Sequence, residues 1–344
     1  MGFSYAWSLK DGYPANGIKA NGLKVFSTFS CGGGSTMGYK LAGYTVIGGN
    51  DIDPKMAKVY THNHQPRHFF LCPINELLDK KLPEELYNLD ILDGSPPCST
   101  FSMAGSREKA WKTKKTFREG QAKQVLSDLF FDWIALVDRL KPKIAIAENV
   151  KGMLAGNAKA YAQAIIGKLN AIGYDVQVFL LNAASMGVPQ RRERVFFIAS
   201  KKILGFPKIS LSFSEKPIRF KEFADYQGEP ITSHKRPAWE NRSPKDRDIA
   251  DSKKRVGMKA SDFNCVYIRD NAVPQTLTTK GEHGTVLASK PIMLSKTEMQ
   301  KISTFPLDYD FLDQRPGYVM GMCVPPVMMA QLSHQIYKQW FSRN

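Results

Sequence analysis

Apolar positions along the first 200 residues fall into two alternating patterns, short unbroken runs and longer stretches with helical spacing. Unbroken apolar runs are typical of strands buried on both faces, and amphipathic stretches are typical of helices that cover such a sheet. The alternation therefore predicts a doubly wound α/β domain with a mostly parallel sheet. The expected strands are 23–29, 44–50, 68–71, 89–92, 143–147, 174–181 and 195–199, and the expected helices are 36–42, 54–63, 121–140 and 158–172.

The alternation stops after Ser200, where the chain becomes rich in proline, charge and isolated aromatic residues. We expect residues 201–295 to form a second, smaller domain. The ending "VPPVMMAQLSHQIYKQWF" predicts a helix opened by Pro325 and Pro326, since proline suits the first helical turn. Residues 1–200 and 296–344 are therefore assigned to the large domain.

Composition indicates a class of partner. The chain has 48 Lys and Arg against 32 Asp and Glu, and a net charge of +16 favours a polyanion such as nucleic acid. Its five cysteines are scattered and never spaced as C-x-x-C, so neither a disulfide framework nor a metal site is predicted. No apolar run is long enough to cross a bilayer and the first residues do not resemble a secretory signal, which favours a cytoplasmic location.

Motifs at the ends of the first two expected strands indicate a nucleotide-like ligand. The glycines of "FSCGGGSTMG" let the backbone turn sharply and approach a ligand closely. Asp51 follows about 20 residues later, where a carboxylate usually accepts hydrogen bonds from ribose hydroxyls. The alternative is that Asp51 or Asp53 caps the helix beginning near Pro54, and we expect Asp53 to do so.

The fourth and fifth expected strands lead into a cysteine and a carboxylate. In "LDGSPPCSTFS", Pro96 and Pro97 stiffen the turn that presents Cys98 at the carboxyl end of its strand. Glu148 in "IAIAENV" should reach the same sheet edge, where it could share a proton with a ring nitrogen. The alternatives are an ordinary buried cysteine and a carboxylate at a helix N-terminus.

The stretch "VPQRRERVFFIAS" enters the last expected strand with long polar residues at every second position. Gln190, Arg192 and Arg194 should then project from one face of that strand. Guanidinium groups there could hold a carboxylate and a base in fixed geometry, whereas a solvated basic turn is the alternative.

Taken in order, these segments resemble the cytosine carbon-5 DNA methyltransferase family in its prokaryotic and phage form. The resemblance covers nearly the whole chain except the N-terminal segment and the small domain. It includes the glycine loop, "NDIDP", "GSPPCSTFS", "KPKIAIAENVKGM" and "PQRRERVFFIA", and later "RDNAVPQTLTT", "LSKTEMQKISTFPLDY" and "GMCVPP".

The resemblance implies a Rossmann-like S-adenosylmethionine-dependent fold whose small domain is a target-recognition domain for double-stranded DNA. It implies a flipped-out cytosine that Cys98 attacks at carbon 6, with Glu148 and Arg194 supporting ring nitrogen 3 and Arg192 as a further catalytic residue. A monomer at the nucleoid is expected, and the family admits a cognate restriction endonuclease as a further partner. The methyl donor would contact Phe29, Ser30, Gly32, Gly33, Gly34, Asp51, Ile52, Ile74, Pro96, Leu129 and Val324.

Some residues depart from the pattern of the family. Cys31 replaces a glycine that is usual in the family, Pro73 replaces an acidic residue, Met322 replaces an asparagine, and Ser99 lies where glutamine is common. These changes bear on donor affinity more than on reaction type. A related transfer RNA methyltransferase and a catalytically silent DNA-binding homologue are the alternatives, although the Cys-Phe-Thr string typical of the transfer RNA enzymes is absent from the sequence.

The string "HNH" at residues 62–64 lacks the further ligands of a nuclease metal site, so no function is assigned to it.

Two basic segments are expected to contact DNA phosphates. The first basic segment is expected to form a lid, with a solvated run of charges as the alternative, and it contains Arg107, Lys109, Lys112, Lys114, Lys115 and Arg118. The second lies in the small domain and contains Lys235, Arg236, Arg242, Lys245, Arg247, Lys253, Lys254 and Arg255.

Overall fold

The computed structural model describes residues 2–97, 129–156, 158–263 and 265–342, together with the backbone of two short strands, β5 and β6. Cys98 and Ser99 lie outside the described residues, as do Arg107, Lys109, Lys112 and Arg118 of the expected lid. The chain divides into two compact units. The sheet unit comprises Tyr13–Asn182, Glu193–Ser212 and Met329–Asn344, and the lobe unit comprises Met1–Gly12, Ala183–Arg192 and Phe213–Met328.

Strands and helices alternate along the sheet unit as the apolar pattern predicts. The strands in chain order are β1 (Lys24–Thr28), β2 (Thr45–Asp51), β3 (His68–Leu71), β4 (Ile91–Gly94), β5 (Lys114–Lys115), β6 (Gln124–Val125), β7 (Ile144–Val150), β8 (Tyr174–Asn182) and β9 (Glu193–Lys201). The helices between them are α1 (Gly34–Leu41), α2 (Pro54–His64), α3 (Leu129–Leu140) and α4 (Ala158–Ala171).

The seven long strands form one sheet in the order β3-β2-β1-β4-β7-β9-β8. All pairs from β3 to β7 are parallel, and β9 runs antiparallel to both β7 and β8. The mostly parallel sheet with helices is therefore confirmed. Because the chain moves outward from β1 to β3 and then returns to the other side of β1, the order reverses between β1 and β4. Ligands of open α/β sheets bind beside the carboxyl ends of the strands at such a reversal.

Burial explains why the strands appear in the sequence as unbroken apolar runs. Every residue of β7 from Ile144 to Asn149 is buried. Helix α3 contributes Phe130, Trp133 and Val137 to the same core, at helical spacing, and Trp133 is fully buried. The sheet edge that carries the candidate residues therefore rests on a close-packed support.

Two boundaries differ from the sequence prediction. The helix expected at 121–140 is described as Leu129–Leu140, and Gln124–Val125 is not part of it, because these residues pair with Lys114–Lys115 as two antiparallel strands. The last strand of the sheet begins at Glu193, so Gln190 and Arg192 precede it and the alternation expected for residues 190–194 does not apply.

The lobe unit has short elements around a small core. It includes residues 183–192 and extends to residue 328, so its limits differ from the predicted 201–295. The reason is visible at Glu298, whose buried carboxylate caps its own helix at Ser295 and also accepts hydrogen bonds from the amides of Asp225 and Tyr226. The elements are α5 (Arg236–Glu240), α6 (Ile249–Arg255), β10 (Val266–Ile268), β11 (Thr285–Leu287), α7 (Lys296–Ser303), α8 (Pro316–Met322) and the start of α9 (Pro326–Ile336).

Within the described ranges, the structure contains no helix that combines the length and the apolar character needed to cross a membrane.

Candidate active site at the carboxyl edge of the sheet

The glycine loop leaves β1 through three residues with left-handed φ angles, at positions 29, 31 and 33. Phe29 and Cys31 have left-handed φ angles of 53° and 46°, and Gly33 has 78°. The Ser30 amide and hydroxyl both donate to the carbonyl oxygen of Asn50, at 3.0 and 3.2 Å, which joins the loop to β2. Gly32 and Gly34 are buried, and Gly34 is the first residue of α1.

Asp51 ends β2 directly beside this loop. Its Oδ2 accepts the Cys31 amide at 2.7 Å and its Oδ1 accepts the Asp53 amide at 2.9 Å. Burial raises the pKa of Asp51 to about 6. Asp53 caps α2 through the amides of Lys55 and Met56, as expected, so the two carboxylates have different structural roles. Asp51 is therefore held in one orientation at the strand end.

Asn50 is a residue that the sequence interpretation missed. Its side-chain amide donates to the carbonyl oxygens of Phe70 and Cys72, at 2.9 and 2.8 Å. Those contacts fix the turn after β3, where Pro73 leads into the buried Ile74. In the sequence, only its position next to Asp51 indicates that Asn50 lies at the candidate site.

Glu148 and Arg194 form a buried ion pair in the sheet unit. Glu148 lies on β7, and Arg194 lies at the start of β9 opposite Val150. The Nε of Arg194 is 2.8 Å from Oε1 of Glu148, and the two side chains are 14% and 10% exposed. A paired, nearly buried carboxylate of this kind has a fixed direction, which is what proton transfer to a bound ring requires.

The turn that leads to Cys98 is attached to the same strand. Asn149 follows Glu148 and its side chain points to the other face of β7, where its amide donates to the carbonyl oxygen of Pro96 at 3.0 Å. Cys98 itself lies outside the described residues. Asn149 belongs to the motif "IAIAENV", but the sequence predicted no role for it.

A second buried acid lies one residue before the end of β4. Asp93 accepts hydrogen bonds from the hydroxyls of Ser27, at 2.8 Å, and Tyr39, at 3.2 Å. Burial raises its pKa to about 7. At the next position, a side chain on Gly94 would come within 2.4 Å of the Trp133 indole nitrogen, so only glycine fits. Of the residues predicted to contact the methyl donor, Leu129 is buried on α3 and Ile52 is partly buried after β2.

Arg192 and Val324 belong to the lobe unit. Arg192 is 3% exposed, and its guanidinium donates to the carbonyl oxygens of Leu277 and Gly321, both at 3.2 Å. Gln190 contacts the same segment, since it accepts the Leu277 amide. Val324 is buried after α8. Arg192 and Gln190 therefore both contact the backbone of Leu277, whereas Arg194 pairs with Glu148.

Most basic residues of the lobe unit contact other residues of that unit. Lys253 is buried and its ammonium lies 2.6 Å from both Ser261 and Asp262, and Lys235 is also buried. The expectation that all eight reach phosphates is therefore wrong for these two. Arg242 is partly buried and donates to the carbonyl oxygens of Ala288 and Trp239. The exposed residues with internal partners are Arg236 with Glu240, Arg247 with Asp248 and Arg255 with Asp246, while Lys245 and Lys254 are exposed without an ion pair among the described residues.

Comparison with known proteins agrees with the geometry. The sequence model of the C-5 cytosine-specific DNA methylase family matches residues 23–338. The Type II methyltransferase M.NgoPII of Neisseria gonorrhoeae is 32% identical over 206 residues, which are 59% of this chain and 56% of that protein. M.FnuDI of Fusobacterium nucleatum is 33% identical over 200 residues, which are 58% and 52%. The chain spans about half the length of these curated relatives.

Solved structures support the fold alone, because their sequence identity is low. A DNA modification methyltransferase encoded within an E. coli prophage superposes with a TM-score of 0.65 at 17% identity, over 92% of this chain and 99% of that one. S. pombe Dnmt2 gives 0.60 at 13% identity, over 92% and 98%. The family match, however, extends over most of the sequence and confirms the resemblance noted above. The chain therefore belongs to the C-5 cytosine-specific DNA methylase family.

Proposed function

We propose that this protein transfers a methyl group from S-adenosylmethionine to carbon 5 of a cytosine in double-stranded DNA. The observation that carries the proposal is the buried Glu148–Arg194 pair, 2.8 Å apart, next to the strand position that attaches the turn before Cys98. The family of this fold generally uses S-adenosylmethionine, and the relatives named above are methyltransferases.

The carboxyl edge of the sheet fits this donor. Asp51 accepts the Cys31 amide on Oδ2 and the Asp53 amide on Oδ1, and a carboxylate has about four acceptor sites, so the group keeps acceptor capacity for a ribose hydroxyl. Phe29 and Ile52 are partly exposed at the same strand ends and offer apolar contact. The Asp51 carboxylate at this edge also favours a cationic sulfonium. When bound, the donor supplies an electrophilic methyl group.

The side chains of the protein carry the other steps. The Cys98 thiolate forms a bond to carbon 6 of the cytosine, and the electrons of the ring double bond move toward carbon 5 and ring nitrogen 3. Glu148 holds a proton at ring nitrogen 3, and Arg194 keeps the carboxylate in place. Carbon 5 would then take the methyl group, and the electron pair of the broken methyl–sulfur bond would stay on the donor. The carbon-5 proton goes to a base, the bond between carbon 6 and the Cys98 sulfur breaks to return the thiolate, and Glu148 takes back the proton from ring nitrogen 3.

Opening of the base pair is part of the proposal, because carbon 5 cannot be reached while the base is stacked. The lobe unit would act as the target-recognition domain, and the exposed Lys245 and Lys254 would contact phosphates. Relatives include both Type II methyltransferases and an orphan methyltransferase of Bacillus phage SPR. A cognate restriction endonuclease is therefore proposed as a partner only if this protein, like the Type II relatives, acts together with an endonuclease.

Methylation assays on duplex DNA and on transfer RNA, with tritiated S-adenosylmethionine, test the proposal. Label should enter DNA at cytosine, Cys98→Ala should abolish the transfer, and Cys265→Ala should not, because that thiol is buried in the lobe unit. Glu148→Gln should lower kcat about 100-fold or more, the usual contribution of a proton-transfer group. Label in transfer RNA alone would overturn the proposed substrate.

A trapping experiment separates an enzyme from a silent homologue. Release of the enzyme requires loss of the proton at carbon 5. In a duplex with 5-fluorocytosine at the target positions fluorine replaces that proton and cannot leave, so the enzyme should remain covalently attached through Cys98. Binding to DNA without any adduct, under conditions in which donor also binds, would contradict catalysis.

A further inference from the structure

His64 is the last residue of α2 and belongs to the "HNH" string that received no function from the sequence. It is 6% exposed, and its Nε2 lies 3.2 Å from the carbonyl oxygen of Gly32. Because a carbonyl oxygen only accepts, the Nε2 atom carries the proton in this contact. Burial lowers the pKa of His64 to about 3, so the ring is neutral at physiological pH.

The ring also occupies the space that a side chain at residue 33 would need. A Cβ on Gly33 would lie 2.0 Å from Nε2 and 2.5 Å from Cδ2 of His64, far inside contact distance. The glycine at this position is therefore required by the imidazole in addition to its left-handed φ of 78°. The loop and the ring fit each other closely.

Two further contacts on the same face of α2 hold α1. Tyr60 lies one turn before His64, with ring centroids 4.7 Å apart, and its hydroxyl lies 2.8 Å from the Thr36 hydroxyl. At the other end of α1, the Lys40 ammonium lies 3.3 Å from the carbonyl oxygen of His64. The face of α2 therefore contacts the glycine loop and both ends of the helix that follows it.

We propose that His64 is a positioning residue for methyl donor binding, which holds the Gly32–Gly33 backbone in the conformation that receives the donor. The proposal rests on the donor role of the glycine loop in the proposed function. His64 acts through the Gly32 carbonyl and does not take part in the chemistry. Its loss should therefore weaken donor binding and leave the rate of transfer at saturating donor almost unchanged.

The first experiment measures donor affinity by calorimetry without DNA and kcat at saturating donor. His64→Phe keeps a ring of similar size and loses the N–H donor, and His64→Gln keeps a donor. His64→Phe should weaken S-adenosylmethionine binding by about fivefold to tenfold, the equivalent of one buried neutral hydrogen bond, and raise KM with kcat within about twofold. His64→Gln should restore most of the affinity. His62→Phe, at an exposed position two residues earlier, is the matched control.

The second experiment is a double-mutant cycle between residues 33 and 64, with urea unfolding as readout. Gly33→Ala should destabilise the wild type more than it destabilises His64→Ala, because removal of the ring opens the space for the methyl group. A coupling of zero would overturn the fit between ring and loop. If wild-type protein binds no donor, the proposed function fails; if wild type binds donor and His64→Phe binds it equally well, only this inference fails.

Discussion

The side-chain amide of Asn149 donates a hydrogen bond to the carbonyl oxygen of Pro96, two residues before Cys98, at 3.0 Å. Proline has no amide hydrogen, so the consecutive Pro96 and Pro97 cannot attach this turn through backbone donors of their own. An external donor is needed to hold the turn, and Asn149 supplies it from β7. The strand that carries Glu148 therefore also positions the turn before Cys98.

Asn149→Ala should slow covalent attack by Cys98. Loss of one buried hydrogen bond costs about 1 kcal/mol, and an unsatisfied carbonyl adds to that, so we expect adduct formation to slow about tenfold. The measurement is the rate of adduct formation with a 5-fluorocytosine duplex under single-turnover conditions. Asn170→Ala, on the exposed end of α4, is the control. An unchanged adduct rate for Asn149→Ala would show that the Pro96 contact does not position Cys98.

Cys31 adopts a left-handed φ of 46°, which favours glycine, and it stands where the family usually has glycine. A side chain in this conformation costs about 1–2 kcal/mol, partly offset by the greater freedom of glycine in the unfolded chain. We therefore expect Cys31→Gly to be more stable than Cys31→Ala by about 1 kcal/mol. Both variants lack the thiol, so the comparison isolates the Cβ. Urea unfolding measures the difference, and equal midpoints would contradict the strain.

The spacing of apolar residues reports which faces of a strand or helix are buried, and this is the part of the fold that the sequence predicts. Runs such as that of β7 indicate burial on both faces, so all seven long strands were predicted to within a few residues. The contacts of Asn149, Asn50 and His64 were not predicted, because each joins segments far apart in sequence. Whether Lys253 faces solvent or Asp262 likewise depends on packing that composition does not report.

Asp93 gives the protein a specific dependence on pH. Burial raises its pKa from 3.8 to about 7. The pKa of Asp93 is therefore higher in the folded state than in the unfolded state. Its contribution to the free energy of unfolding is fully present below the unfolded-state pKa and is lost as pH rises through the folded-state pKa. The shift corresponds to about 4 kcal/mol lost between about pH 4 and pH 8.

Asp93→Asn should remove this loss, because an amide stays neutral and can still accept from Ser27. The free energy of unfolding, measured between pH 5 and 8.5 for both proteins, should show the variant gaining on the wild type as pH rises. Taking the difference between the two proteins cancels the contributions of the other titratable groups, which both proteins share. Parallel pH curves for the two proteins would refute a raised pKa at Asp93.

Lys253 and Lys254 are neighbours on α6 with opposite environments. Lys253 is buried against Asp262, whereas Lys254 is exposed, with its ammonium 5.4 Å from the exposed ring of Phe263. If the lobe unit grips DNA, only the exposed lysine can release counterions from a phosphate. Lys254→Met should therefore weaken DNA binding and reduce the slope of log affinity against log salt by about 1.

Lys253→Met should leave that slope unchanged and lower stability instead, by about 3 kcal/mol, because the Asp262 carboxylate loses its buried partner. Fluorescence anisotropy between about 50 and 200 mM salt gives the slopes, and urea unfolding gives the stabilities. Lys245→Met, a second exposed residue, extends the comparison beyond one position. If Lys253→Met remains folded and changes the salt slope as much as Lys254→Met, burial does not separate phosphate-binding from structural lysines in this lobe, and the recognition surface lies elsewhere.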